Sequence, residues 1–179
     1  MDRMGRYSGL STTNHWITVI LVVSMLVLGL VASEAPNDTV EDYVIGIHIS
    51  LGFFAFLFIV WRVAYRLYEG FPAAIAGTAP ERWAAYLVHR GLLIVLTLQV
   101  LTGPLYLFTE GDAVNVFGWF SVSLPLESSE AIHELIEEIH VVLGVYVIPG
   151  LLLLHIAGAI RHYLSGENSV EAQKAPTDM

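Results

Sequence analysis

Seven histidines stand in a chain of 179 residues that has no cysteine: His15, His48, His89, His133, His140, His155 and His162. Imidazole ligates iron readily and exchanges protons near neutral pH. Without cysteine sulfur, disulfides, iron–sulfur clusters, thiolate-ligated haem and covalent c-type haem are all excluded. His15, His89 and His162 lie near the ends of apolar runs, where any one of them could rest at an interface with no further role. That reading fails for His155, deep in Gly150–Ile160, and for His48, which follows Val44–Ile47 and precedes a long apolar run. Ionisable groups at such positions are costly in lipid and are usually functional.

The elements that must carry these histidines are apolar and long. Hydrophobic residues make up 55% of the chain, charged residues only 14%, and the mean hydropathy is +0.65. A soluble domain carries about 25% charged residues, so lipid is the main solvent here. Four stretches are each close to the ~20 apolar residues that a spanning helix needs: 15–32, 43–61, 83–108 and 139–160. Continuous apolar runs of this kind span as helices, because only helices and closed barrels satisfy their backbone groups in lipid. The expected fold is an all-α integral membrane four-helix bundle over residues 1–166, followed by a polar, disordered tail over 167–179. Thr39 and Asp42 read as a capping box before the second span. Ser128 or Ser129, with Glu130, reads as the start of a helix leading into the fourth. Pro104 and Pro149 should kink spans three and four. The polar stretch Met1–Asn14 gives no sign of a cleavable signal.

Charge fixes the expected orientation. All eight basic residues (Arg3, Arg6, Arg62, Arg66, Arg82, Arg90, Arg161 and Lys174) fall on the side of the termini or at its edge. The opposite side, Ser33–Asp42 and Thr109–Glu138, holds eleven acids and no Lys or Arg. By the positive-inside rule both termini face the cytoplasm.

With that orientation the histidines fall at two depths. His15 opens span one and His155 lies six residues before Arg161, both near the inner face. His48 and His140 open spans two and four on the outer side. Two neutral imidazoles approaching from opposite sides are what a six-coordinate haem iron requires. His140 and His155 are 15 residues apart, ~22 Å along a helix and ~60° from exact alignment, an error that a kink at Pro149 could absorb. Gly52 and Gly144 each follow an outer ligand by four residues, and Gly29 follows His15 by fourteen, so all three are candidates for haem packing. Glycine also packs helices in membranes generally. His133 competes with His140 for the outer site. It lies about 10 Å further out, in the acidic stretch Glu130–Glu138, so His140 is the better ligand, with a metal or haem role for His133 left open.

Six segments stand in a fixed order along the chain: Asn14-His15-Trp16, Ile47-His48-Ile49-Ser50, His89 set 14 residues before Gly103, Phe117-Gly118-Trp119-Phe120, Leu135–His140, and the run from His155 to His162-Tyr163. Together they resemble the bacterial cytochrome b561 family, which includes the superoxide oxidase type and is akin to the b subunits of hydrogenases and formate dehydrogenases. The resemblance covers nearly the whole chain. It implies four helices, two b haems and His15, His48, His140 and His155 as iron ligands, the same four that depth selects. In one respect the chain departs from the family, whose last two ligands stand one residue closer together.

Two haems at two depths form a relay across a bacterial cytoplasmic membrane. The expected path runs from an outer-side donor through the haem of His48 and His140 to that of His15 and His155, and on to a membrane quinone. His89 and His162, at the inner end, are candidates for the quinone or proton site, or for bonding a haem propionate or backbone group. Arg62, Arg66 and Arg161 are candidate inner propionate partners, and Arg62 could equally be a snorkelling interfacial residue. The acidic outer face should repel superoxide and favour a basic redox protein as donor. Lipid, quinone and an outer-side donor, either superoxide or a basic redox protein, are the expected partners, and nucleic acid is not; with superoxide as donor the chain would be a superoxide:quinone oxidoreductase. The alternatives are an anchor subunit that carries electrons for a larger dehydrogenase or hydrogenase, and a haem-free bundle.

Overall fold

In a computed structural model of the chain, residues 9–69, 78–126 and 128–172 are described, with side chains over 12–68, 78–126 and 128–164. Arg3, Arg6 and Lys174 of the charge argument, and the last residues of the expected tail, lie outside them. Helix α1 spans Gly9–Ser33, α2 Asp38–Glu69 and α3 Ala79–Glu110. A short hairpin follows, β1 Val114–Val116 paired antiparallel with β2 Phe120–Val122, and then α4 Glu130–Val142, a π-helical turn Leu143–Val147 and α5 Ile148–Ala172. The last three elements make one continuous rod. Four helical segments are long and apolar enough to cross a membrane: Thr12–Ser33, Asp38–Tyr68, Ala79–Glu110 and Glu130–Leu164. The chain is therefore a four-helix membrane protein.

Each helix extends past the apolar run that marks it. Beyond the hydrocarbon, water and headgroups can bond the turns, and good helix formers carry the rod onward. Helix α2 starts at Asp38, and the Asn37 carboxamide accepts the Val40 N–H at 3.1 Å, so the cap is Asn37 and not Thr39. Ser129 holds the N-cap position of α4, as its sequence suggests. Pro104 lies inside α3 without ending it. Pro149 has no N–H to offer the preceding turn, and its ring crowds the carbonyl four residues back. The rod meets this with the wider π turn immediately before it, closed by the Ile148 N–H on the Leu143 carbonyl.

Helix α1 packs on α2, α2 on α3, and α3 on both α4 and α5. Apolar side chains such as Ile20, Leu57, Ile94 and Leu153 face outward, as a lipid solvent allows. Helix association in lipid rests on close packing and on polar contacts between helices, and here the polar contacts concentrate where the histidines are.

The hairpin adds a small β element to an otherwise helical fold. Helix α3 ends at Gly111 in the left-handed region (φ 94°), where the N–H groups of Gly111 and Asp112 return to the Phe108 and Leu107 carbonyls and turn the chain back. Phe117 and Gly118 both have positive φ, 51° and 72°, which is the geometry of a type I′ hairpin turn. Phe117 is held in this strained state by Ser50 on α2, whose hydroxyl oxygen accepts the Phe117 N–H at 2.9 Å. Beneath the hairpin Val114, Val116 and Phe108 form a buried cluster against Ile49 and Phe53 of α2.

Candidate functional site

Four histidines face one another in two pairs. His48 on α2 and His140 on α4 have ring centroids 6.4 Å apart, with planes crossed at 87°. His15 on α1 and His155 on α5 are 6.2 Å apart, with planes at 61°. A metal–imidazole bond of about 2.0 Å, added to about 1.2 Å from ring nitrogen to centroid and doubled across one metal, requires about 6.4 Å. Both centroid spacings match that figure. His89 on α3 comes within 5.1 Å of His155, closer than that spacing, and is a neighbour of the second pair.

The surroundings of the outer pair suit a metal ligand. The Thr102 hydroxyl spends its proton on the Leu98 carbonyl (2.9 Å), so its oxygen accepts the His140 Nδ1–H at 3.0 Å. That bond leaves Nε2 unprotonated and fixes the ring, the arrangement that metal-binding histidines usually have. The Gln99 carboxamide meets Nε2 at 3.2 Å, while its own Oε1 is buried without a partner. The amide N–H donates to the lone pair that a metal would take, so ligation through Nε2 requires Gln99 to turn aside. His48 lies against α1 with Nδ1 buried, and the Met25 backbone is its polar neighbour there.

The glycines divide by what they touch. A Cβ on Gly29 would lie 3.6 Å from His48 Cε1, and one on Gly103 only 3.2 Å from His140 Cε1. These two let α1 and α3 close on the outer pair. Gly144 makes room for Gln99, at 3.1 Å, and Gly52 for the Met25 methyl, at 3.4 Å. Of the three glycines singled out by spacing, only Gly29 meets a histidine.

At the inner end Arg62 crosses from α2 to α1. Its Nη1 donates to the Asn14 carbonyl (3.0 Å), the Asn14 side chain (2.9 Å) and the Thr18 hydroxyl (2.9 Å). Asn14 and Thr18 are buried. The contact sets the register of α1 one residue before His15 and brings a fixed positive charge beside that histidine. Arg66 lies close to both Arg62 and His89. Arg161 points elsewhere: it is 73% exposed and is bound to Glu81 at 2.6 Å, the residue that also closes the capping box at Thr78. His162 is exposed, and among the described residues no ring contact or hydrogen bond joins it to His89.

The extra residue between His140 and His155 has a structural answer. A π turn accommodates one residue more than an α turn for nearly the same rise. The turn at Leu143–Val147 thus lets a spacing of fifteen act as fourteen, which brings the two histidines from ~60° out of line to ~40° on the other side.

Thr18, Gln99 and Thr102 are not singled out by motif or spacing. Their signal is polarity inside apolar runs, since a buried polar side chain in lipid must have a partner.

Four spanning helices with histidine rings facing one another in two pairs are the layout that a membrane cytochrome of the bis-histidine type would need. The prokaryotic cytochrome b561 family matches residues 6–172, and the chain belongs to that family. Cytochrome b561 homolog 2 of Escherichia coli (strain K12) is 28% identical over 160 residues, covering 88% of this chain and 85% of the relative. Membership makes the chain a haem b-binding bacterial membrane cytochrome, consistent with electron transfer.

Proposed function

We propose that the chain holds two b haems, one between His48 and His140 and one between His15 and His155, and carries electrons across the membrane between an outer-side donor and the quinone pool. The observation that carries this is the pair of ring spacings, 6.4 and 6.2 Å, each fitting a single iron. Haem supplies reversible one-electron chemistry when bound. The protein's part is to orient, insulate and charge-balance. Thr102 holds His140 in the tautomer that offers Nε2, and Gly29 and Gly103 allow α1 and α3 to close on the outer pair. Arg62, with Arg66 near it, supplies positive charge at the inner pair, where haem carboxylates need a partner.

The inner end is the quinone side of this proposal. His89 adjoins His155 and is itself exposed on α3, so it can exchange a proton with a quinone arriving from lipid. The outer face has no Lys or Arg, which favours a cationic donor over superoxide. Both termini are cytoplasmic in this reading.

The test is a reduced-minus-oxidised spectrum of the purified protein, with haem counted per chain. Two b haems per chain are expected. One haem, or none, would overturn the proposal. If stopped-flow mixing with superoxide reduces the outer haem faster than the background, the preference for a cationic donor is wrong.

A further inference from the structure

The contact between α3 and α4 at the outer pair is repeated one heptad further out. Thr102 accepts the His140 Nδ1–H, and Thr109 meets His133 Nδ1 at 3.1 Å. The Thr109 hydroxyl donates to the Leu105 carbonyl at 2.9 Å, so its oxygen is the acceptor and His133 holds its proton on Nδ1. The His133 ring also stacks on Tyr106, centroids 4.9 Å apart and planes at 27°, and the Tyr106 hydroxyl donates to Glu137. His133 is thus half-buried, fixed in rotamer and tautomer, and makes no hydrogen bond through Nε2 among the described residues. A histidine on an acidic, solvated helix has no need of such fixing.

Seven residues on one helix bring His133 to the same face as His140 and about 10 Å nearer the outer surface. The carboxylates of a haem must reach water or polar partners, because charge in the hydrocarbon is costly. At the inner end Arg62 and Arg66 meet that need. The outer side has no Lys or Arg.

We propose that His133, positioned by Thr109 and Tyr106, is the propionate partner of the outer haem. With Nδ1–H spent on Thr109, the ring meets the carboxylate through Nε2, the two groups holding one proton between them. This inference rests on the two-haem reading above.

The test is an equilibrium redox titration of the purified, haem-loaded protein, with the outer step identified by its loss in His48→Ala. In His133→Leu the outer midpoint should fall, because an unpartnered carboxylate favours the oxidised haem, while the inner midpoint stays in place. In His133→Lys the outer midpoint should return toward the parent value, since a cation is restored. The proposal is overturned if the His133→Leu outer step coincides with the parent's. It is equally overturned if the Leu and Lys variants shift, or lose haem, alike, which marks a packing role. A parent protein with fewer than two haems would instead overturn the two-haem reading and this inference with it.

Discussion

A Cβ placed on Gly103 would lie 3.2 Å from Cε1 of His140, nearer than all but a small share of real Cβ contacts, whereas the same atom on Gly29 would meet His48 at an ordinary 3.6 Å. The outer pair is therefore gripped unequally. Helix α3 presses on one ring, and α1 only touches the other. Gly103→Ala must push the His140 ring or the helix by a few tenths of an ångström, and close-packed interiors resist such shifts at about 1–3 kcal/mol. We expect Gly103→Ala to lower haem occupancy at the outer site and Gly29→Ala to leave it near the parent's. The pyridine haemochrome content of the two purified variants checks this, and equal occupancy in both would contradict the unequal grip.

Thr102 is expected to matter to the same site through orientation and not through bulk. Thr102→Val keeps the shape and removes the acceptor that holds His140 Nδ1–H. Loss of such a supporting bond typically weakens metal binding about 10–100-fold. Haem titration of the apoprotein should show this loss at the outer site alone, with the inner site titrating as before.

The π turn offers a different kind of check. If Leu143–Val147 absorbs one surplus residue, deleting Val145 should let that stretch close as an α turn and keep both His140 and His155 in register. Deleting Leu152, beyond the π turn, leaves the surplus in place and rotates His155 by ~100°. We expect the first deletion to retain both haems and the second to lose the inner one, read from haem per chain. Equal loss in both would mean that the turn does not correct the spacing.

How much of this was legible in the sequence differs from residue to residue for physical reasons. Lipid demands about 20 apolar residues per span, so the four helices can be read directly, and matching His15 with His155 and His48 with His140 needed only depth. Helix ends were read less well: α2 is capped by Asn37, because past the hydrocarbon the rod continues through polar turns that hydropathy does not mark. Three-residue strands leave no periodic signal, so the hairpin was visible only as the aromatic segment Phe117–Phe120. Arg62 and Arg161 look alike in sequence, both basic and both near span ends. Only the fold shows Arg62 bonded beside His15 and Arg161 turned to Glu81. Gln99 and Thr102 carried a signal, polarity within an apolar run, but polarity alone does not say which histidine they serve.

That difference between the two arginines is itself testable. Arg62→Gln keeps one donor for Asn14 but removes the charge beside His15. Arg161→Gln removes a charge that lies exposed at the surface. A redox titration should show the inner midpoint falling in Arg62→Gln and unchanged in Arg161→Gln. A fall in both would return Arg161 to the list of propionate partners.

The hairpin lies over α2, and one hydroxyl fastens it. Ser50 stands two residues after His48. It donates to the Gly46 carbonyl at 2.8 Å and lies 3.1 Å from the Asn115 carbonyl, and its oxygen accepts the N–H of strained Phe117. Ser50→Ala removes the acceptor for Phe117 at a cost of about 1–3 kcal/mol, so the hairpin should open while the helices hold. In hydrogen exchange, amides of Val114–Val122 should lose protection, and those of α2 around His48 should keep theirs. If the hairpin amides exchange as slowly as in the parent, the strained turn is held by the Val114, Val116 and Phe108 cluster alone, and Ser50 is not its clasp.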